Sequence, residues 1–426
     1  METIEAYLQR KYHELELLDD CLDTSLAPAP PRSIDDVIEL KFKLTAALRA
    51  QHDLSDWAAT ETAWSQGKKS CDGPFRFTYD YQRADLDVAG PSFYDLDDES
   101  RTETVYTSSG MASISALLLA SSHVFDSAHL VVLSETYRET IEFTAGYCHH
   151  LRIVAAERAW SDPVRRSPPA RILLLDSCAL AKDFEACLRS QWTQFDLCIF
   201  DTTCFCSGSG RIRRALRTAR RNGVPVVMVR SHTKLDSLGA EYGRLGSAGF
   251  VHVRNDDPWR RPGLAKLPDE MRNAVRLLGS AALPAHFPPY VGSSKYRSLT
   301  ARRVAAILRN GRRSAGFFRE TLGGLVAELD FAHGLYATLK CRRPLDEEAA
   351  RKAASDMSEA LGRAGFPMRH AGSFGFDFGA TEWVRDVESD AFNVRVAVPD
   401  LPTAVWDEQS RAIGRWWTAY DRSRGS

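Results

Sequence analysis

Five short, unbroken apolar runs constrain this chain more than any other feature. They are "HLVVLS" (129–134), "LRIVAA" (151–156), "RILLLD" (171–176), "FDLCIFD" (195–201) and "VPVVMVR" (224–230). A strand with one wet face alternates apolar and polar residues; these runs do not, as strands buried on both faces of a parallel sheet would not. Helix-like segments lie between them, including "GMASISALLLASS" (110–122) and "RIRRALRTARRNG" (211–223), the second ending at a candidate C-cap, Gly223. The alternation predicts an α/β domain over roughly 100–290.

A chain of 426 residues is too long for one small core. Residues 1–20 and 33–51 have helical apolar spacing and are separated by a linker, "LAPAPP"; with the irregular stretch that follows they read as an N-terminal helical arm over 1–75. The large domain is expected over 76–295. After "LPAHFPPYVG" the texture changes to a long helix or helix pair (296–328), "GLYATLKC" (334–341), a helix at 346–364 and "FNVRVAVP" (392–399). That mixture suits a smaller α+β domain over 296–426.

Apolar content of 44% and a net charge of −1 point to no nucleic-acid or membrane-surface partner. The acidic start lacks a signal-peptide pattern, and no apolar run is long enough to span a bilayer. Nine scattered cysteines argue for reduced thiols and a cytoplasmic location, and "CFC" (204–206) has the wrong spacing for a zinc or redox pair, so no metal is expected.

Ligands of open α/β sheets collect at the carboxyl ends of the strands. Asp201 closes one run, Lys234 follows another in "SHTK" (231–234), and Tyr137 follows a third in "LSETY" (133–137). Singly, each has an ordinary reading: a turn cap, a solvated amine, a packing ring. Together they meet the needs of pyridoxal phosphate: a lysine for a Schiff base, a carboxylate facing the pyridine nitrogen, and a phosphate cradle. "SSGM" (108–111) supplies a helix N-terminus with Gly110 allowing close approach, and Ser231 and Thr233 supply hydroxyls on one side of a strand end.

With "YQR" (81–83) and "FDTT" (200–203), these motifs resemble those of the Cys/Met-metabolism family of pyridoxal-phosphate enzymes, relatives of cystathionine γ-synthase, cystathionine γ-lyase and methionine γ-lyase. The likeness runs across most of the chain beyond residue 75. It implies the fold type I, aminotransferase-like α/β architecture with a mostly parallel sheet and a smaller α+β C-terminal domain. It also implies roles. Lys234 matches the lysine that carries the cofactor and shuttles protons, and Asp201 the partner of the ring nitrogen. Gly110, Met111, Thr203, Ser231 and Thr233 match the cofactor cradle, and Tyr137 the ring-stacking acid or base. Tyr81 and Arg83 match a pair that reaches the neighbouring subunit's phosphate, which implies a homodimer or homotetramer with shared active sites. Arg395, in "NVRVAV" (393–398), matches the arginine that binds the substrate α-carboxylate, with Ser373 in the companion loop "AGSFG" (371–375).

The substrate side departs from the family. The stacking tyrosine continues as "YRET", an asparagine-bearing strand end becomes "DSCAL" (176–180), and a glycine-rich stretch after the lysine becomes "LDSLGAEYG". The expectation is a lyase or transferase that eliminates or replaces a group at the γ or β carbon of an α-amino acid, in specialised amino-acid metabolism. One variant is dehalogenating γ-elimination of 4-chloroallylglycine to a terminal alkyne. Two other readings stay open: a non-catalytic homologue with a binding or regulatory role, and a dinucleotide loop at "GSGRIR" (208–213), whose third glycine position holds Arg213. His232 is expected to face away from Lys234 by strand alternation, and the arginines of 211–221 to form a solvated helix face.

Overall fold

The computed structural model describes residues 2–60, 68–70, 73–79, 86–96, 100–157, 169–253, 259, 263–326, 331–386 and 391–424. The chain divides into two units, Arg49–Ser237 with Glu241–Gly292, and Met1–Leu48 with Leu238–Ala240 and Ser293–Ser426. In chain order its first elements are α1 (Ile4–Asp19), α2 (Ile34–Thr60), a small antiparallel sheet of β1 (Lys68–Ser70), β2 (Arg76–Tyr79) and β3 (Leu86–Ala89), then β4 (Ser100–Thr107) and α3 (Gly110–Ala120). There follow β5 (Ala128–Val132), α4 (Arg138–Tyr147), β6 (Leu151–Ala155), β7 (Ala170–Asp176), α5 (Ala181–Arg189), β8 (Leu197–Asp201), α6 (Gly210–Asn222), β9 (Val226–Ser231), β10 (Gly246–Val253) and α7 (Leu267–Leu278).

The first unit holds a seven-stranded sheet in the order β4-β10-β9-β8-β7-β5-β6. Its five parallel strands are the five apolar runs. Both faces of β5, β7, β8 and β9 are covered, which is why their runs do not alternate, while the edge strand β6 is only partly buried. Leu130, Ile172, Leu174, Ile199 and Val227 pack with Ile114 and Leu117 of α3 and Met271 of α7. The residues between them, Val131, Leu173, Leu175, Cys198 and Met228, pack on the other side with Phe184 of α5 and Ile212 of α6. Helix α6 ends as its sequence predicts, at Gly223 in the left-handed region with φ 61°.

Two strands escape the sequence reading. The edge strand β4, "SRTETVYT", is polar, and β10 opens on Gly-Ser-Ala-Gly; they pair antiparallel with each other, and β10 with β9. Neither carries the apolar run that marks a doubly buried strand.

The second unit contains α8 (Ser294–Leu322) and a four-stranded sheet ordered β11-β14-β13-β12, from β11 (Tyr336–Leu339), β12 (Met368–His370), β13 (Gly379–Arg385) and β14 (Phe392–Ala397). Helix α9 (Glu347–Arg363) is capped by Asp346, whose carboxylate accepts the Ala349 N–H at 2.8 Å, and α10 (Thr403–Ser423) closes the chain. Among the described residues no helix is long and apolar enough to cross a membrane.

The sequence places a separate arm over 1–75, but the structure builds residues 1–48 into the second unit. The reason is a buried charge network. Lys11 of α1 donates to Asp400 at 2.5 Å and to Asp377; Lys41 of α2 donates to Glu14 at 2.5 Å and to Asp377. Arg303 of α8 reaches Asp377 at 2.7 Å and Glu14 at 2.9 Å, and Arg10 forks onto Asp400 with two bonds of 2.8 Å. The cations hold Glu14, Asp377 and Asp400 below their ordinary pKa values against the opposing effect of burial. Depressed carboxylate pKa values add stability that is present above the ordinary aspartate range and lost as pH falls through the folded-state values. Asp400→Asn, which leaves buried cations uncompensated, should cost about 3–5 kcal/mol in chemical unfolding at neutral pH. The gap from wild type should close in acid; a gap independent of pH would show that the network does not carry that stability.

Candidate active site

The carboxyl ends of β7, β8 and β9 are laced together. Asp176 and Asp201, the last residues of β7 and β8, are register partners. Asp201 Oδ1 accepts the Thr203 N–H at 2.8 Å, and Thr203 Oγ1 accepts the Ser231 N–H at 3.0 Å. The Ser231 and Thr233 hydroxyls are 3.0 Å apart, as expected of alternate residues leaving a strand. Lys234 follows, half-buried, its Nζ 3.5 Å from Glu241 Oε1.

Helix α3 starts against this corner. Ser109 caps it, its Oγ accepting the Ala112 N–H at 3.0 Å, so the amides of Gly110 and Met111 stand at the open end of the helix. A Cβ on Gly110 would lie 2.8 Å from Ser231 Cβ, so only glycine lets the helix start this close to the hydroxyls. Met111's side chain packs against the core rather than the corner, leaving its backbone as the usable group. Open amides and two hydroxyls suit a phosphate. Tyr137 begins α4; its N–H donates to Asp176 Oδ2 at 2.8 Å and its ring is 38% exposed.

Asp176 is the residue the sequence reading missed: it closes "RILLLD" but reads there only as an altered motif. It is 1% exposed, and its other oxygen accepts the Cys178 N–H at 2.7 Å. Burial and then the neighbouring Asp201 push its pKa up to about 7, and burial also raises Asp201. Arg230 offsets only part of the rise at Asp201, so two adjacent carboxyls with elevated pKa values would favour a further cation beside them, such as a protonated pyridine ring. The nearby Cys178 is no nucleophile, since its bond to Cys204 and its burial hold the thiol well above its ordinary value. Among the described residues no cluster of potential ligands could hold a metal ion.

Lys234, Asp201, Thr203, Ser231, Thr233, Gly110, Met111 and Tyr137 thus belong to one set of strand and helix ends. Tyr81 and Arg83 lie outside the described residues. Arg395 and Ser373 belong to the other unit. Arg395 sits on β14 opposite Thr338 and Glu382, half-buried, 5.8 Å from the Tyr336 ring centre. Ser373 is buried in the loop after β12, its N–H on the Ala371 carbonyl at 3.0 Å. His232 turns away from the corner, as alternation predicts, and is fully bonded inside the fold.

The sheet order and these strand ends define an open α/β protein of the fold type I, aminotransferase-like architecture, with a smaller C-terminal unit carrying its own sheet. A putative O-acetylhomoserine (thiol)-lyase from Campylobacter jejuni subsp. jejuni, whose structure holds N'-pyridoxyl-lysine-5'-monophosphate, superposes with a TM-score of 0.50 at 13% identity, over 74% of this chain and 82% of that one. Cystathionine γ-synthase from Xanthomonas oryzae pv. oryzae gives 0.48 at 16% identity over 74% and 82% of the two chains, and serine palmitoyltransferase from Sphingomonas wittichii gives 0.49 at 15% over 76% and 73%. No family model and no curated protein matches the sequence. The likeness expected from the motifs is therefore met at the level of the fold.

The carboxyl pair makes a pH-dependent prediction. Both groups keep protons in the folded state that they lose when unfolded, so their contribution to stability falls as pH rises from the ordinary aspartate range through about 7. Asp201→Asn removes the repulsion. In cofactor-free protein it should raise the unfolding temperature, and by more at alkaline than at mildly acidic pH. Equal shifts at both would show the pair is not charge-frustrated.

Proposed function

We propose that the protein is a pyridoxal-phosphate-dependent enzyme that eliminates or replaces a group at the γ or β carbon of an α-amino acid. The observation that carries this reading is the juxtaposition of buried Asp176 and half-buried Asp201 with an amide-and-hydroxyl corner and a lysine three residues past the neighbouring strand. The cofactor, when bound through Lys234, supplies a cationic ring that withdraws electrons from the substrate's α-carbon.

The chain's own groups do the rest. Asp201 keeps a proton on the ring nitrogen by ion pairing. The Gly110 and Met111 amides, with Ser231, Thr203 and Thr233, hold the phosphate and fix the ring's place. Tyr137, held at its backbone by Asp176, offers a ring to stack on and a phenol to carry a proton. Lys234 Nζ would hold the cofactor and, when free, would be the base that takes the proton from the substrate Cα and returns it to the substrate. Arg395 takes the α-carboxylate through its planar fork, with Ser373 beside it in the loop; both assignments rest on motif likeness. Tyr81 and Arg83 reach a neighbouring subunit's phosphate, making the working form a homodimer or homotetramer.

Borohydride reduction of the native protein followed by peptide mapping should place the label on Lys234; a label elsewhere, or none, overturns the reading. Lys234→Ala should abolish turnover. Arg395→Ala should weaken amino-acid binding by about 2–5 kcal/mol, as loss of a buried charge partner does. A panel of cystathionine, methionine, O-acylhomoserine and 4-chloroallylglycine identifies the leaving group. Tightly bound cofactor with no turnover of any amino acid would favour a binding role instead.

A further inference from the structure

Two buried charges flank the segment that carries Ser231, Thr233 and Lys234. Arg230, 0% exposed, forks onto Asp236 with Nε to Oδ2 and Nη2 to Oδ1, both at 2.7 Å. Its remaining nitrogen, Nη1, donates to the carbonyls of Thr202 at 2.8 Å and Phe205 at 2.9 Å, in the loop that follows Asp201. Asp236 also accepts from His232 Nδ1 at 2.8 Å, and His232 Nε2 lies 2.8 Å from Ser247 Oγ on β10. The His232 and Phe93 ring centres are 3.8 Å apart with the planes tilted by 31°. Burial lowers the His232 pKa, so the neutral ring donates to Asp236 and accepts from Ser247.

We propose that Arg230, His232 and Asp236 form a clamp that positions Lys234, with Asp236 its central positioning residue. The ion pair closes a ring around residues 231–235 and leaves that segment few ways to turn. The Nη1 bonds attach the ring to the loop of Thr203, so the amine and the Asp201 carboxylate share one frame. A cofactor bound at both ends needs this spacing, because a misplacement of about 1 Å is costly in rate. Stability alone does not call for such a device, since well-packed apolar residues hold a buried site as firmly as an ion pair. The sequence offers the matching need: the glycine-rich stretch expected after the lysine is replaced by "LDSLGAEYG".

The clamp deepens the proposed function and rests on Lys234 being the reactive amine, so its test has a readout that needs no cofactor. Competitive acetylation of the cofactor-free full chain, mapped by mass, is compared for wild type, Asp236→Asn, and the paired replacement Arg230→Met with Asp236→Leu. Lys266 and Lys352, exposed and outside the clamp, serve as internal references. Labelling of Lys234 should rise by about threefold or more in both variants as the loop opens locally. Borohydride trapping of pyridoxal phosphate at Lys234 should fall by about tenfold or more. Should Asp236→Asn fail to fold, the apolar pair carries the test, because it restores packing without restoring the fork. A folded apolar pair with wild-type labelling of Lys234 overturns the clamp. Wild-type protein that never traps the cofactor at Lys234 overturns the proposed function, and the labelling then judges the clamp alone.

Discussion

A parallel sheet buried on both faces must end its strands on one side, and whatever leaves those ends has to satisfy hydrogen bonds there. Here that constraint sets the site. Successive residues of β7, β8 and β9 alternate between two packed layers, so their last residues cannot join either core. Asp176, Asp201 and Ser231 occupy those ends, and the bonds from Tyr137, Cys178, Thr203 and Ser231 backbone N–H groups close them off. The polar corner is what remains once the apolar layers are complete. Helix α3 completes it only because Gly110 has no side chain, and β10 fits beneath the helix start only because a Cβ on Gly246 would lie 2.2 Å from the Ser109 carbonyl oxygen.

The protein buries carboxylates in two opposite ways. Asp377, Asp400 and Asp236 face arginines and lysines and are driven below the ordinary range, Asp236 to about 2. Asp176 and Asp201 are register neighbours and are driven up, Asp176 by burial and then by Asp201, and Asp201 by desolvation that Arg230 only partly offsets. The first arrangement is complete in the chain itself and locks segments far apart in sequence. The second leaves two adjacent carboxyls holding protons above the ordinary aspartate range. Frustrated groups of this kind concentrate where a ligand is meant to bind, because an environment tuned for the complex is poor for the free protein.

Most of the sheet was legible because five runs announce double burial, and the C-cap at Gly223 and the long helix after 293 follow ordinary local rules. The strands β4 and β10 were hidden because the edge strand β4 is polar and the interior strand β10 opens on small residues, so neither carries a long apolar run. The positions of the candidate residues were legible from the strand pattern: Lys234, Asp201 and the hydroxyls fall at or just past strand ends. What could not be read was pairing at a distance. Nothing in "MVRSHTKLDS" says that Arg230 and Asp236 will bond to each other rather than to solvent. Likewise nothing in "QRKYHE" says that Lys11 will meet Asp400 across the length of the chain. Side-chain charge reads from sequence as surface by default, and only tertiary packing reverses it.

That reversal bears on what distinguishes this chain. A glycine-rich turn gives a lysine loop its shape through backbone freedom, whereas a forked ion pair gives shape by restraint. Here the loop keeps Gly239 and Gly243 in the left-handed region, and the fork adds restraint by tying Arg230 to Asp236 and to the Thr202 and Phe205 carbonyls. Charge–fork geometry tolerates little displacement, since a guanidinium meets a carboxylate with both bonds or loses much of the pairing. The altered motifs at "YRET" and "DSCAL" lie on the same side of the sheet's carboxyl edge, one joined to the other by the Tyr137–Asp176 bond. The Tyr137–Asp176 bond thus joins two of the segments that frame the lysine loop, and the fork holds the loop itself.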